Sequence, residues 1–153
     1  MGLIVAPAIN TDRQEILAVT LRIENFTDEE KETVLELWDA RAKGYEFIVA
    51  REAERLLGYA CFGERGLTDG AYDLFWIAVD PSARRMGVGE ALLRKTESDI
   101  RERGGRLLLV ETSSMDEYAS TRKFYESTGY AKEAVIRDFY KPGDDLVIYS
   151  MHL

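Results

Sequence analysis

The sequence has few residues of the kinds that build covalent crosslinks, metal centres or membrane spans. Its 153 residues contain one cysteine, Cys61, and one histidine, His152. An internal disulfide is therefore impossible, and a zinc site made of cysteine and histidine is excluded. No apolar run approaches the roughly 20 residues of a membrane helix, and Met1–Pro7 lacks the basic segment of a signal peptide. We expect a cytoplasmic protein with no membrane partner and no metal.

Basic residues are also scarce relative to acidic ones. The chain has 20 Lys and Arg against 28 Asp and Glu, a formal net charge of −8. Nucleic acid is a poor partner for such a chain, because binding phosphates requires a basic surface. A negative surface suits a cationic substrate such as an amine, although it also serves solubility alone. The length and the absence of a linker predict one domain over residues 1–153.

Hydrophobic periodicity predicts an alternation of strands and helices. Capping-box patterns at Thr11–Gln14 and Thr27–Glu30 predict two helix starts, and Gly44 is expected to end the second helix. The alternation over residues 19–23 also permits a strand in place of the first helix. The predicted series is strand 3–9, two helices, strands 46–50, 56–62 and 72–79, helix 87–103, strand 106–112, helix 118–128, and strands 131–137 and 146–153.

The turn from the predicted strand 72–79 into the next helix carries the strongest functional signal. The segment Asp80–Leu93 places two arginines and two glycines where the helix begins. A helix start offers unpaired N–H groups and a positive dipole end, and glycine lets the backbone approach a ligand closely. The turn therefore predicts a phosphate site. It lacks the Gly-Lys-Ser/Thr of a Walker loop, and Leu92 stands where a dinucleotide fingerprint needs its third glycine.

The remaining pattern, Arg-x-x-Gly-x-Gly followed by Glu-Ala-Leu-Leu, resembles the acyl-coenzyme A signature of the GNAT-type N-acetyltransferases. The order of predicted elements resembles that superfamily over nearly the whole chain. The resemblance implies an α/β fold with a mixed, mostly antiparallel seven-stranded sheet and helices on both faces. Acyl-coenzyme A would lie where the fourth and fifth strands splay apart, and acetyl-coenzyme A would be the cosubstrate.

The resemblance also assigns residues to the coenzyme. Backbone groups of the fourth strand would pair with the pantetheine arm, and an N–H near Ile77 would stabilise the oxyanion. Backbone N–H groups of the turn would hold the pyrophosphate, with the two arginines adding positive charge. The alternative is a solvated arginine pair, although a helix dipole disfavours cations at that end. The expected coenzyme-binding residues are Ile77, Ala78, Val79, Arg84, Arg85, Met86, Gly87, Val88, Gly89 and Glu90.

The segment Lys123–Tyr130 resembles the superfamily's Phe-Tyr-x-x-x-Gly-Phe/Tyr motif, whose tyrosine is the usual general acid. That tyrosine is Tyr125, which stays protonated at neutral pH and could donate a proton to the departing thiolate. The alternative is a core aromatic residue on an amphipathic helix. The superfamily often has asparagine seven residues earlier, where this chain has Tyr118.

A carboxylate is the expected base for the acceptor amine. Glu111 at the end of the fifth predicted strand is the first choice, followed by Asp73 at the start of the fourth, acting directly or through a water. An exposed carboxylate at a strand end is, however, also common without a function. Specificity is expected from the first two helices, the 64–72 loop and the last hairpin. Residues 138–145 of that hairpin are interpreted as a turn, with the binding of a cationic group as the alternative.

The predicted function is transfer of an acetyl group from acetyl-coenzyme A to a primary amine of a small molecule or peptide, directly within a ternary complex. The alternatives are a coenzyme A-binding module without catalysis and an α/β domain that binds another anion. A homodimer is plausible by analogy with the superfamily, with the last strand as a sheet edge.

Overall fold

A computed structural model describes residues 2–24 and 26–153, so Met1 of the N-terminal segment lies outside the described residues. The strands are β1 (Leu3–Pro7), β2 (Tyr45–Glu52), β3 (Arg55–Glu64), β4 (Ala71–Val79), β5 (Leu107–Ser113), β6 (Ala131–Lys141) and β7 (Asp144–His152). The helices are α1 (Arg13–Arg22), α2 (Asp28–Asp39), α3 (Val88–Glu102) and α4 (Ala119–Ser127). Within this described part of the chain, no helix has both the length and the apolar character that a membrane span requires.

The seven strands form one sheet in the order β1-β2-β3-β4-β5-β7-β6. The neighbours β4 and β5 are parallel, and the other described strand pairs are antiparallel. The predicted mixed, mostly antiparallel seven-stranded sheet is therefore confirmed. The expectation that the last strand forms an edge is wrong, because β7 lies between β5 and β6, and β6 is the edge.

Helices cover both faces of the sheet, as predicted. On one face, α1 and α2 bury Ile16, Val34 and Trp38 against β2 and β3. On the other, α3 and α4 bury residues such as Leu92 and Tyr125 in a larger cluster with β3, β4, β5 and β7. Each helix packs one apolar side against the pleated surface of the sheet, which is the arrangement that the helical periodicity of the sequence predicts.

Local chemistry moved two predicted helix boundaries and confirmed a third. Thr11 does not cap α1: a 3-10 turn precedes the helix, and the carboxylate of Asp12 accepts a hydrogen bond from the Ile9 N–H at 2.8 Å. The buried Asp12 also pairs with Arg51. The second capping box is confirmed, since Thr27 Oγ1 accepts from the Glu30 N–H at 3.1 Å. Helix α2 ends at Asp39, and a short 3-10 turn carries the chain to Gly44.

An irregularity in β4 positions the site. The register between β3 and β4 shifts so that Phe75 has no partner between the pairs Leu74↔Phe62 and Trp76↔Cys61. Such a bulge exchanges the two faces of a strand. Leu74 packs in the α3/α4 cluster before the bulge, and Ile77 packs against that same cluster after it.

Candidate active site

Strands β4 and β5 separate at the same level as the bulge. Their parallel pairing runs from Ala71↔Leu107 to Leu74↔Val110 and then ends. Beyond it, β4 stays paired with β3 as far as Val79, and β5 stays paired with β7 as far as Ser113. A strand bonded on one side leaves half of its backbone N–H and C=O groups facing the other. On the side that faces β5, the backbone polar groups of residues 75–79 thus have no strand partner in the described chain.

A cleft of about 850 Å³ opens at this gap. Its walls come from the start of α2, from β4, β5 and α4, and from the β6–β7 hairpin. The three segments expected to set specificity contribute Thr27 and Glu30, Arg65, and Tyr140 with Asp144. The hairpin turn is confirmed by the pairing of Lys141 with Asp144. The side chains in the walls are a mixture of aromatic, apolar and acidic groups, a lining that suits an organic ligand with polar groups.

The turn after β4 has the backbone form expected of an anion site. Arg85 and Gly87 adopt positive φ values of 66° and 78°, and α3 begins at Val88. Left-handed residues in such turns let successive N–H groups converge on a concavity that binds anions. Arg84 and Arg85 are exposed, and no described acidic side chain pairs with either. Two arginines at a helix start make a positively charged site that favours an anion.

Gly89 lies in the first turn of α3, where it faces α4. A Cβ placed on Gly89 would lie 3.5 Å from the ring of Phe124 and 3.7 Å from Val79, which are ordinary contacts. Glycine is therefore not required there by packing within the protein. Close approach of a ligand to the backbone would explain it.

Asp80 fixes the turn to the body of the fold. Its carboxylate is 2% exposed and accepts hydrogen bonds from the Ser82 N–H at 2.9 Å and from the Ser82 hydroxyl at 2.8 Å. The Arg22 guanidinium of α1 donates to it from Nε at 2.8 Å. Burial opposes ionisation, but these donors outweigh it and lower the pKa of Asp80 to about 2. An ionised Asp80 thus ties α1 to the residues that lead into the loop.

Tyr125 lines the cleft from α4 and is 5% exposed. Its ring packs against Phe124, Tyr130 and Tyr149 at centroid distances of 5.2, 5.6 and 6.1 Å. Among the described residues, every fully buried side-chain polar atom has a hydrogen-bond partner. The Tyr125 hydroxyl has no hydrogen bond to a described residue, so it is not fully buried and is accessible from the cleft. Burial raises the pKa of Tyr125 above its usual value. The result is a protonated donor that opens into the cleft.

The two carboxylates considered as bases stand on neighbouring strands, linked by a cation. Arg65 Nε lies 3.1 and 3.0 Å from the two oxygens of Asp73, and Arg65 Nη2 lies 2.8 Å from one of them. The same Nη2 is 3.6 Å from Glu111. Asp73 is 15% exposed and Glu111 is 41% exposed. Asp73 is thus engaged by a two-pronged ion pair, whereas Glu111 keeps its carboxylate accessible.

Sequence reasoning missed Arg65 as a site residue. The loop that contains it was identified as a specificity region, but no motif in that loop marks an ion pair across two strands.

Tyr118 lies in the wall of the cleft, so the residue at the usual asparagine position does face the ligand space. Cys61 is fully buried, and burial raises the pKa of its thiol. Among the described residues, no group of three or more His, Cys, Asp or Glu side chains is arranged to hold a metal ion.

Comparison with known proteins agrees with this geometry. The chain is 40% identical over 81 residues to the [ribosomal protein bS18]-alanine N-acetyltransferase of Escherichia coli K12. That alignment covers 51% of this chain and 53% of the relative, so the chain spans about half the length of the curated relatives it matches.

Two solved structures are similar over almost the whole chain. A GNAT-family protein from Desulfovibrio desulfuricans is 40% identical with a TM-score of 0.95, and the match covers 99% of both chains. An aminoglycoside 6'-N-acetyltransferase complexed with coenzyme A has a TM-score of 0.77, with 97% of this chain and 96% of that chain covered. At 18% identity, the second similarity shows the fold alone.

The family model named acetyltransferase (GNAT) family matches residues 12–130. That range begins just before α1 and ends after α4, so it contains the opening between β4 and β5, the loop at the start of α3 and Tyr125. Sequence and fold thus agree on one assignment, and the chain belongs to the acetyltransferase (GNAT) family.

Proposed function

We propose that residues 1–153 form one catalytic domain that transfers an acetyl group from acetyl-coenzyme A to a primary amine, directly within a ternary complex. The observation that carries this proposal is the Tyr125 hydroxyl, which lies among aromatic rings, has no hydrogen-bond partner in the described part of the chain and opens into the cleft. A buried hydroxyl without a hydrogen bond costs stability. Its retention at this position is accounted for by a partner that arrives with the substrate.

Coenzyme binding falls to the end of β4 and the start of α3. The pyrophosphate would lie against the N–H groups of residues 85–90, with Arg84 and Arg85 supplying charge. The pantetheine arm would take the place of a strand beside Ile77, Ala78 and Val79, whose backbone polar groups face the gap. This arrangement brings the thioester into the cleft next to Tyr125. An N–H near Ile77 would donate to the developing oxyanion, a contact worth about 10²–10³ in rate.

Two proton movements accompany the transfer. A lysine-like ammonium has a pKa near 10.4, so freeing the amine at pH 7 costs about 4–5 kcal/mol. Glu111 accepts that proton, directly or through a water, because Asp73 is engaged by Arg65. The amine nitrogen then attacks the thioester carbon, and the N–C bond forms as the C–S bond breaks. The sulfur leaves as a thiolate and takes the proton of Tyr125. The newly acylated nitrogen gives up its second proton to solvent, from which Tyr125 regains one.

Direct transfer is favoured over an acyl-enzyme intermediate. Covalent catalysis needs a nucleophile beside a base. Cys61, the one cysteine of the sequence, is 0% exposed, and burial keeps its thiol protonated by raising the pKa. Initial rates measured against both substrates are expected to give intersecting double-reciprocal lines. Parallel lines would contradict direct transfer.

A pair of isosteric variants tests the role of Tyr125. Tyr125→Phe removes a hydroxyl that has no partner among the described residues, so we expect no loss of stability, unchanged coenzyme affinity and a fall in kcat of about 10²–10⁴. Tyr130→Phe is the matched control, since Tyr130 lies in the same aromatic cluster but donates to Glu97 at 2.7 Å. It should lose about 1–3 kcal/mol of stability and keep its turnover.

The same assays, applied to Tyr125→Phe and to the unaltered protein, separate an enzyme from a coenzyme-binding module. Turnover of Tyr125→Phe equal to that of the unaltered protein would remove Tyr125 as the acid. Tight coenzyme binding by the unaltered protein, with no thiol release in the presence of a wide panel of amines, would refute the catalytic proposal.

A further inference from the structure

The acceptor side of the cleft carries more negative charge than one amine requires. Five carboxylates line it, those of Glu29, Glu30, Asp73, Glu111 and Asp144, against the two cations of Arg65 and Lys141. Arg65 is engaged by Asp73. In the proposed reaction Glu111 serves the ammonium group that reacts. The carboxylates nearer the hairpin and α2 form no ion pair with any residue that the structure describes.

The hydrogen bonds of these outer carboxylates come from neutral donors. Asp144 is 8% exposed and accepts from the Ser113 hydroxyl at 2.5 Å. One oxygen of Glu30 accepts from the Thr27 N–H at 3.3 Å, as part of the capping box. Neither forms an ion pair with a described residue. Lys141 belongs to the exposed end of the hairpin and pairs with no described carboxylate. The negative charge therefore remains available inside the cleft.

Two tyrosines stand in the same part of the cleft. Tyr118 comes from the turn before α4, and Tyr140 comes from the β6–β7 hairpin. Partial burial raises the pKa of both tyrosine hydroxyls. The negative charges of Glu30 and Asp144 raise the pKa of both further. Both rings and both carboxylates line the same cleft. Aromatic faces beside carboxylates are the surroundings that an alkylammonium or guanidinium group prefers.

The geometry points to an acceptor that carries a second cationic group, bound between Tyr118 and Tyr140 and paired with Glu30 and Asp144 while the reacting amine meets Glu111. This inference rests on the proposed function and names its substrate class: a diamine, or a peptide whose amino terminus is followed by a basic side chain. Both sources present the same chemistry, a reactive amine and a separate cation joined by a short apolar spacer.

Binding measured by calorimetry tests the inference without relying on turnover. The protein saturated with coenzyme A is titrated with 1,4-diaminobutane and with 1-aminobutane, which differ by one cationic group. A second arm compares the peptides Ala-Arg and Ala-citrulline, whose second side chains have the same shape but differ in charge. We expect the dication to bind about 10-fold more tightly in at least one arm, with a preference that falls as salt rises.

The arm that shows the preference identifies the source of the acceptor. Equal affinities within both pairs, or no measurable binding of either dication, would overturn the inference. Turnover of simple amines without this preference would refute the inference and leave the proposed function standing. A preference in binding with no turnover of any amine would refute the proposed function and leave the binding preference standing.

A charge variant locates the preference in the cleft. Glu30→Gln keeps the capping box, which accepts glutamine at that position, and removes one cleft charge. We expect the preference for the dication to fall about 3- to 5-fold. The matched control is Glu32→Gln, the same change on an exposed residue of α2 outside the cleft. An equal loss in both variants would show that overall charge, and not the cleft, selects the cation, and would overturn the inference.

Discussion

Replacing Asp80 by asparagine tests how the coenzyme loop is attached to the fold. The change keeps an oxygen that accepts from Ser82 and removes the negative charge that faces Arg22. The pKa of Asp80 falls from its usual 3.8 to about 2 in the folded protein. One pKa unit corresponds to about 1.4 kcal/mol, so the ionised carboxylate stabilises the fold by about 2 kcal/mol at neutral pH.

The pH dependence gives this prediction its sign. Because the folded pKa lies below the unfolded one, the stabilisation is fully present above about pH 4 and is lost as the pH falls towards 2. Urea unfolding at pH 7 should show Asp80→Asn to be about 2 kcal/mol less stable than the unaltered protein. The difference should shrink between pH 4 and pH 2, since the carboxylate of the unaltered protein also becomes neutral there.

The matched control for this change is Asp39→Asn. Asp39 also pairs with an arginine of α1, Arg13, at 3.4 Å, but the two side chains are 63% and 43% exposed. An exposed pair contributes at most about 1 kcal/mol. A loss at Asp80 no larger than that at Asp39, or a loss that stays constant down to pH 2, would refute the reasoning.

Further predictions concern two glycines and one arginine. Gly58→Ala should destabilise the protein by about 1–3 kcal/mol, because the new Cβ would lie 2.6 Å from a carbonyl oxygen of β4. Thermal unfolding measures this loss, and an unchanged midpoint would contradict the prediction. Gly89→Ala places its Cβ 3.5 Å from the Phe124 ring, so the stability of the protein should be unchanged. Its coenzyme affinity, measured by calorimetry, should fall roughly tenfold, and an unchanged affinity would contradict this prediction. Arg65→Met removes the cation that pairs with Asp73 and lies 3.6 Å from Glu111. We expect kcat to fall roughly tenfold with coenzyme affinity kept, and Arg65→Lys to recover part of the loss. Equal kcat in all three proteins would exclude a positioning role for Arg65.

The order of the elements could be predicted because each helix and strand carries its own periodicity. Ile16 and Val19 recur at helical spacing, and both are buried on one face of α1. The turn from β4 into α3 could be predicted for the same local reason, since two glycines and two arginines adjoin in sequence. These signals lie within a few residues of one another and do not depend on the rest of the fold.

Features that depend on distant partners could not be predicted from the pattern. Asp12, and not Thr11, precedes α1 because its carboxylate meets Arg51 on β2. The last strand was wrongly expected at an edge, since the insertion of β7 between β5 and β6 is a property of the whole sheet. The bulge at Phe75 and the ion pair from Arg65 to Asp73 likewise join residues whose spacing in the sequence has no characteristic signature.

The measurement that tests the central claim most directly is thermal unfolding with and without acetyl-coenzyme A, with ATP as the anionic control. Ligand at 100 times its dissociation constant adds about 2.7 kcal/mol of stability. For a chain of 153 residues this should raise the midpoint by roughly 5–10 °C. The account predicts that rise with acetyl-coenzyme A and little change with ATP. No rise, or an equal rise with both ligands, would contradict the assignment of the loop and the cleft to acetyl-coenzyme A.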